Sequence, residues 1–270
     1  IEGVTLMIPK EIRQDVYWVG SIHWERRLFD ELIPLPDGTS YNAYFVQGKK
    51  ANALIDTVDP EKGYELLQHL AILEIEKIDY IVVNHAEQDH SGTLPDIVEM
   101  FPEATVVTNK KCADLIETHH HIPRDRMKIV ADREKLDLGG KTLEFILTPW
   151  VHWPETMSTY LHEDRILFSC DFFGSHQATS SLWVEDEYKV VEDAKRYFAE
   201  IMMPFRNQIQ KNLKALADFN IEIIAPSHGP LWQDPSVIMD AYCRWTDENE
   251  IEKHVLIPFI SMHDSTRYMV

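Results

Sequence analysis

The chain has 270 residues, 44% of them hydrophobic, which is apolar material for one full domain plus a small remainder and excludes a disordered polymer. Lys and Arg number 26 against 45 Asp and Glu, and the resulting net charge of -19 repels phosphate backbones and anionic lipid headgroups over about a Debye length, so nucleic acid and membrane surfaces are poor partners. Residues 1–10 show no basic segment leading into an apolar stretch, no run of about 20 apolar residues occurs, and Cys112, Cys170 and Cys243 are widely spaced with no C-x-x-C pair, so a reducing, cytoplasmic setting with three buried, inert thiols is expected.

Short runs rich in Val, Ile, Thr and Tyr predict strands at residues 16–19, 42–46, 53–55, 80–83 and 105–108. A helix is expected over 61–73, capped by Asp59 and opened by Pro60, and another over 112–119. Further strands fall at 142–146, 156–161 and 166–169. The polar residues 162–165 have the length of a hairpin turn, so 156–169 should be an antiparallel hairpin that delivers Cys170 and Asp171 to an edge of the sheet. Helices follow at 190–203 and 207–219, separated by Pro204, whose ring blocks continuation. A strand at 223–225 and a helix at 235–249 complete the pattern. Strands and helices mixed in this way, with hairpins between consecutive strands, predict a layered α/β sandwich over a purely parallel sheet. No internal repeat or low-complexity segment occurs.

Directly after the apolar run 80–83, the sequence Asn84-His85-Ala86-Glu87-Gln88-Asp89-His90-Ser91-Gly92 packs four potential metal ligands, His85, Glu87, Asp89 and His90, into six residues. Loops at strand ends hold their backbone on the ladder while their side chains point into open space, which is where sheet proteins present functional groups. Three single residues follow other strands. His152 stands in Thr148-Pro149-Trp150-Val151-His152-Trp153-Pro154, among aromatic rings and prolines that would shield a site from water; Asp171 ends the hairpin; His228 sits in the constrained loop Ala225-Pro226-Ser227-His228-Gly229-Pro230. Any one alone is more often structural. The four loci together point to a metal site.

In this order the residues resemble the metallo-β-lactamase superfamily, whose pattern is H-x-[HE]-x-D-H followed by His, Asp and His on separate strand-end loops. The resemblance implies an α/β (α+β) fold, a four-layer αββα sandwich. By motif position, His85, Glu87 and His152 fall to one metal, Asp89, His90 and His228 to the other, and Asp171 bridges. Hydrolases of the superfamily usually carry His at the position of Glu87 and hold two zinc ions around a bridging water. With Glu87, each metal has two imidazoles and one carboxylate besides the bridge, a donor set typical of non-haem iron sites that handle oxygen. Zinc, which has no redox chemistry and prefers four-coordination, has less use for the added charge.

The stretches 148–157 and 167–171, together with Thr39-Ser40-Tyr41-Asn42-Ala43-Tyr44 and Ile201-Met202-Met203-Pro204-Phe205, are similar to the flavodiiron proteins, also called A-type flavoproteins, over nearly the whole chain. The resemblance implies a non-haem diiron oxidoreductase that reduces dioxygen to water and/or nitric oxide to nitrous oxide. Electrons would arrive through FMN on the other subunit of a head-to-tail homodimer, fed by a donor such as rubredoxin, a flavin reductase or a reduced cofactor. Residues 1–250 are then the metallo-β-lactamase-like diiron domain. Residues 251–270 are the linker, first strand and FMN-phosphate loop of a truncated flavodoxin-like domain, so the chain is expected to be a fragment of a longer protein. In that segment the apolar run 255–260 leads into candidate phosphate-binding residues Ser261, His263, Ser265 and Thr266, with Asp264 an unhelpful charge beside a phosphate. His176 and Tyr197 are candidates to donate protons or hydrogen bonds near a bound gas, and structural roles stay open for both. Asp30 stands where family members commonly have His after Arg-x-Phe, so a preference for one gas does not carry over. His119, His120, His121, His23, His69, His162 and His254 read as surface residues. Two rivals stay open: a dizinc hydrolase of the same fold and a non-catalytic diiron sensor of oxygen or nitric oxide.

Overall fold

The computed structural model describes residues 8–29, 31–248 and 259–269. Two sheets face each other. The larger has seven strands in the order Lys10–Arg13, Val16–Trp18, Tyr44–Gln47, Asn52–Ile55, Tyr80–Val82, Thr105–Thr108 and Met127–Ile129. Its first four strands pair antiparallel and the rest parallel. The smaller has five, in the order Lys135–Asp137, Thr142–Leu147, Met157–Leu161, Ile166–Cys170 and Ile223–Pro226, antiparallel except for the last pair.

The continuous apolar runs of the sequence are explained by burial on both faces of each sheet, because successive strand side chains point to opposite sides. In the larger sheet Ile55, Val82 and Val107 pack between the sheets, while Leu54, Ile81 and Val106 face helices. In the smaller sheet Phe145, Phe168 and Ala225 point inward, and Ile146, Leu167 and Ile224 point to the other helical layer. Helices Gly63–Ile72, Leu94–Met100 and Lys110–His120 cover the first sheet with Leu66, Leu70, Ile97 and Ile116. Helices Glu187–Tyr197, Arg206–Leu216 and Pro235–Thr246 cover the second through stripes at helical spacing such as Ile209, Leu213 and Leu216. The result is the four-layer αββα sandwich expected from the sequence.

Several local expectations are corrected. The strand expected at 42–46 begins only at Tyr44 and runs to Gln47 in the main sheet; Asn42 and Ala43 are in no strand and follow Thr39–Tyr41, which pairs with Ser21–His23 in a separate small sheet. Pro204 does not separate two clean helices. Glu187–Tyr197 passes through a π turn at Phe198–Met202 and a 3-10 turn at Met203–Phe205 into Arg206–Leu216; Pro204 opens the 3-10 turn, where its missing N–H costs nothing. The strand Ile166–Cys170 is not at an edge but lies between Met157–Leu161 and Ile223–Pro226. His69 is a core residue, not a surface one: it falls three positions after Leu66 on the buried stripe, its ring 5.6 Å from that of Trp18 and its Nδ1 3.1 Å from the Val19 carbonyl oxygen. Cys112 and Cys170 are buried, but Cys243 is exposed, one step off the buried stripe of Ile238, Ala241 and Tyr242. Asp30, His254 and residues 255–258 of the expected last strand lie outside the described residues.

Candidate metal centre

Strand direction brings the four loci together. Thr142–Leu147 and Ile166–Cys170 both run antiparallel to Met157–Leu161, and Ile223–Pro226 runs parallel to Ile166–Cys170, so the loops bearing His152, Asp171 and His228 leave the smaller sheet at the same end. The loop after Tyr80–Val82 meets them from the facing sheet, where Met157 N–H donates to the Asn84 carbonyl at 3.0 Å. This is the crevice outside the carboxyl ends of strands, where sheet folds form sites.

Each locus is held by contacts with a clear local cause. Asp56 accepts from the Asn84 N–H (2.7 Å) and Nδ2 (2.8 Å), and Thr159 Oγ1 donates to Asn84 Oδ1 (2.8 Å), fixing the residue before His85. Asp89 and His90 lie on the one-turn helix Gln88–Ser91, whose Ser91 hydroxyl lies 2.8 Å from the Ala86 carbonyl oxygen. Cys170 adopts φ 56, and the ladder slips register there, turning Asp171 out of the sheet. The His228 loop is pinned by Asn42, whose Nδ2 donates to the carbonyls of Pro226 and Gly229 (2.8 Å each), and by Tyr44, whose hydroxyl donates to Pro226 (2.6 Å).

Seven side chains converge. His85, Glu87, His152 and Asp171 offer ligand atoms within 4.8 Å of one another, and Asp89, His90 and His228 form a second such group. Glu87 Oε2 lies 2.9 Å from His85 Nε2 and 3.1 Å from His152 Nε2. His228 Nε2 lies 3.1 Å from Asp89 Oδ2, and His90 Nε2 lies 3.3 Å from Asp89 Oδ1. Asp171 faces both groups. Its Oδ2 is 3.6 and 3.7 Å from His85 and His152, and its Oδ1 is 3.1 and 3.3 Å from His90 and His228.

The chemistry of this donor set fits a pair of cations. Asp89 Oδ1 and Oδ2, His90 Nε2 and Asp171 Oδ2 are buried and have no hydrogen-bond partner among the described residues, although imidazole and carboxylate atoms approach closely. Orphaned buried polar atoms are costly unless something else satisfies them. The electrostatics ask for positive charge as well. Burial raises the Asp171 carboxyl, but the His90, His228 and His85 rings outweigh this and hold it well below its ordinary range. Burial likewise opposes charge on His228, yet Asp171 and Asp89 push its imidazolium up to about 10. The metal-free cluster thus keeps protons where cations would sit.

Sequence reasoning missed the groups behind the ligands. Glu155, 2% exposed, lies with Oε1 2.6 Å from His85 Nδ1 and accepts from the Ala86 N–H at 3.3 Å. The Ser40 carbonyl oxygen lies 2.7 Å from His228 Nδ1. Asp56 and Glu155 carried only one signal, an acid placed among apolar or aromatic neighbours. Of the residues expected near a bound gas, Tyr197 donates its hydroxyl to Asp171 Oδ1 at 2.8 Å, and burial followed by the Asp171 charge holds it well above the ordinary phenol range, so it stays a donor. His176 packs 4.8 Å from the rings of both Tyr197 and His228. Its Nδ1 contacts Thr39 Oγ1 at 2.9 Å, and its buried Nε2 has no partner among the described residues. His120 is half-buried with Nε2 2.8 Å from Ser91 Oγ, so it is not a free surface residue. Together with His119, Glu87, Gln88 and Trp153 it lines a cleft of about 520 Å³. Ser261, His263, Ser265 and Thr266 lie in a turn at the surface, closed by the Thr266 N–H donating to Ser261 Oγ at 3.2 Å.

A sandwich with paired donor groups at this end defines a metallo-β-lactamase-like protein of two-metal design. Residues 39–229 match the family described as ODP family beta lactamase, and the chain belongs to that family. It is 37% identical over 267 residues to the anaerobic nitric oxide reductase flavorubredoxin of Salmonella paratyphi A, covering 96% of this chain and 55% of the relative. Among solved structures it is similar to the flavodiiron protein of Giardia intestinalis, with a TM-score of 0.84 and 36% identity over 88% of this chain and 59% of that one. It is also similar to the rubredoxin oxygen:oxidoreductase of Desulfovibrio gigas, with a TM-score of 0.82 and 30% identity over 88% and 60%. The chain spans about half the length of the curated relatives it matches. No helix among the described residues is long and apolar enough to cross a membrane.

Proposed function

We propose that the chain is the metal-bearing part of a flavodiiron oxidoreductase that reduces nitric oxide to nitrous oxide and/or dioxygen to water. His85, Glu87 and His152 would hold one iron, Asp89, His90 and His228 the other, with Asp171 available to both. The observation that carries this reading is Asp171 set between two buried donor groups, one of which offers Glu87 in place of an imidazole. Iron in such a donor set supplies electrons and Lewis acidity. The protein's own part is to orient and to exclude water. Tyr197 fixes Asp171 and remains a hydrogen-bond donor beside it. Burial, and then the neighbouring His228, holds His176 well below its ordinary pKa, so it stays neutral with Nε2 able to take or give one hydrogen bond. Trp153 packs edge-on to His85 at 5.0 Å and screens the centre, while Glu87 and His152 keep some exposure on the open side.

The names of the relatives support reduction of these gases over a hydrolase or a sensor. In this reading residues 1–250 are the metal domain and residues 251–270 open a flavodoxin-like domain. Ser261, His263, Ser265 and Thr266 there would face the phosphate of FMN, which passes electrons singly or in pairs. We place the whole protein in the cytoplasm as a head-to-tail homodimer fed by rubredoxin or a comparable donor. Reduced, iron-loaded full-length protein should consume nitric oxide, dioxygen or both. Stoichiometric zinc with ester turnover and no gas consumption would contradict this, and a stable gas adduct without turnover would favour a sensor.

A further inference from the structure

Three observations distinguish the two halves of the centre, and all point the same way. The first is what stands behind three of the four imidazoles. His85 Nδ1 meets the Glu155 carboxylate at 2.6 Å, with both side chains 0% exposed. His228 meets only a backbone carbonyl, that of Ser40, and His90 meets the thiol of Cys170 at 4.0 Å. A carboxylate behind a ligand imidazole makes it a stronger donor than a carbonyl does, and a thiol at that distance adds little. The second lies in the shared carboxylate. Asp171 Oδ1, facing His90 and His228, already accepts the Tyr197 hydroxyl, whereas Oδ2, facing His85 and His152, has no hydrogen-bond partner among the described residues. The third is charge. Glu87 and Asp89 bring one carboxylate to each half, and in the first half a further one, Glu155, is hydrogen-bonded directly to a ligand imidazole.

We infer that the two half-sites are inequivalent, and that Glu155 is the positioning residue that makes the half formed by His85, Glu87 and His152 the tighter one. The inference rests on the two-metal reading above and adds an order of filling to it. Glu155 acts through its charge as well as its shape. A glutamine there could still accept the Nδ1–H of His85 and hold the Ala86 N–H, but would not raise the donor strength of the ring. Tyr197 works in the opposite sense on the other half, withdrawing electron density from the Asp171 oxygen that serves it.

The test is an anaerobic calorimetric titration of the metal-free 270-residue chain with cobalt(II), followed in parallel by visible absorption. The wild type should take two ions in two resolved steps. E155Q should weaken the first step on the order of 10–100-fold and leave the second in place, the scale expected when a partner of a ligand imidazole is lost. Y197F should tighten the second step, so the two variants narrow the gap from opposite sides. Two equal steps in the wild type, or an E155Q that changes neither step or weakens both alike, would overturn the inference. If E155Q fails to match the wild-type circular dichroism spectrum, Y197F decides, and an unchanged gap in that variant counts against the proposal. Binding of fewer than two ions by the wild type would instead sink the two-metal reading itself.

Discussion

Asp171 is the residue on which both halves of the centre depend, because each of its oxygens faces a different pair of imidazoles. Asp171→Asn keeps the volume and the Tyr197 contact but removes the shared charge, so metal content measured after anaerobic reconstitution should fall from two ions per chain to one or none. Asp56 makes a different prediction. Burial raises its carboxyl from 3.8 to about 6, despite His90 and the Asn84 hydrogen bonds pulling the other way. A raised carboxyl stabilises the fold fully below pH 3.8 and loses that contribution as pH rises through about 6, about 3 kcal/mol at 1.36 kcal/mol per pH unit. Asp56→Asn cannot titrate. The stability advantage of the wild type over this variant, read from urea midpoints of metal-free protein, should therefore shrink between pH 4 and pH 7. Residue type and strand-end position were enough to find the seven side chains of the cluster. They did not find Asp56 or Glu155, whose partners are 28 and 70 positions away, because a buried acid is identified by what it touches in space.

Among the elements, the loop after Ile223–Pro226 has little room for substitution. Gly229 has φ +79, and a Cβ there would lie 2.2 Å from Ser175 Oγ and 2.7 Å from the Ser175 carbonyl oxygen, while its N–H donates to Ser40 Oγ at 2.8 Å. Gly229→Ala should cost about 2–4 kcal/mol through backbone strain and overpacking, lower the thermal midpoint, and weaken metal retention by displacing His228. The longer elements were readable from periodicity. The hairpin Met157–Leu161 to Ile166–Cys170 forms with Thr159 opposite Phe168, and Asp59 does act as a cap, though of the 3-10 turn Pro60–Lys62 that leads into the helix Gly63–Ile72 rather than of the helix itself. Short strands such as Leu28–Phe29 and Ile33–Pro34 were not, because two residues carry no period. The path through Pro204 also escaped, since a proline can open a 3-10 turn as readily as end a helix.

At the scale of the whole molecule, two sheets clamp one centre between them. The larger supplies His85, Glu87, Asp89 and His90, and the smaller supplies His152, Asp171 and His228, so the site depends on the sandwich staying closed. A layered α/β sandwich was legible from the mixed strands and helices and its four layers from the family resemblance, whereas the relative placement of the loops depended on strand direction, which only the pairing reveals. If this pair of donor groups is a redox site for two irons, the loaded chain should carry out one turnover without a flavin. Two ferrous ions hold the two electrons needed to convert two nitric oxide molecules and two protons to one nitrous oxide and one water. The direct measurement is a single turnover of the anaerobic, ferrous-loaded chain with excess nitric oxide, followed by gas analysis. About one nitrous oxide per chain should form, with both irons ending ferric; two bound ferrous ions and no nitrous oxide would sink the assignment.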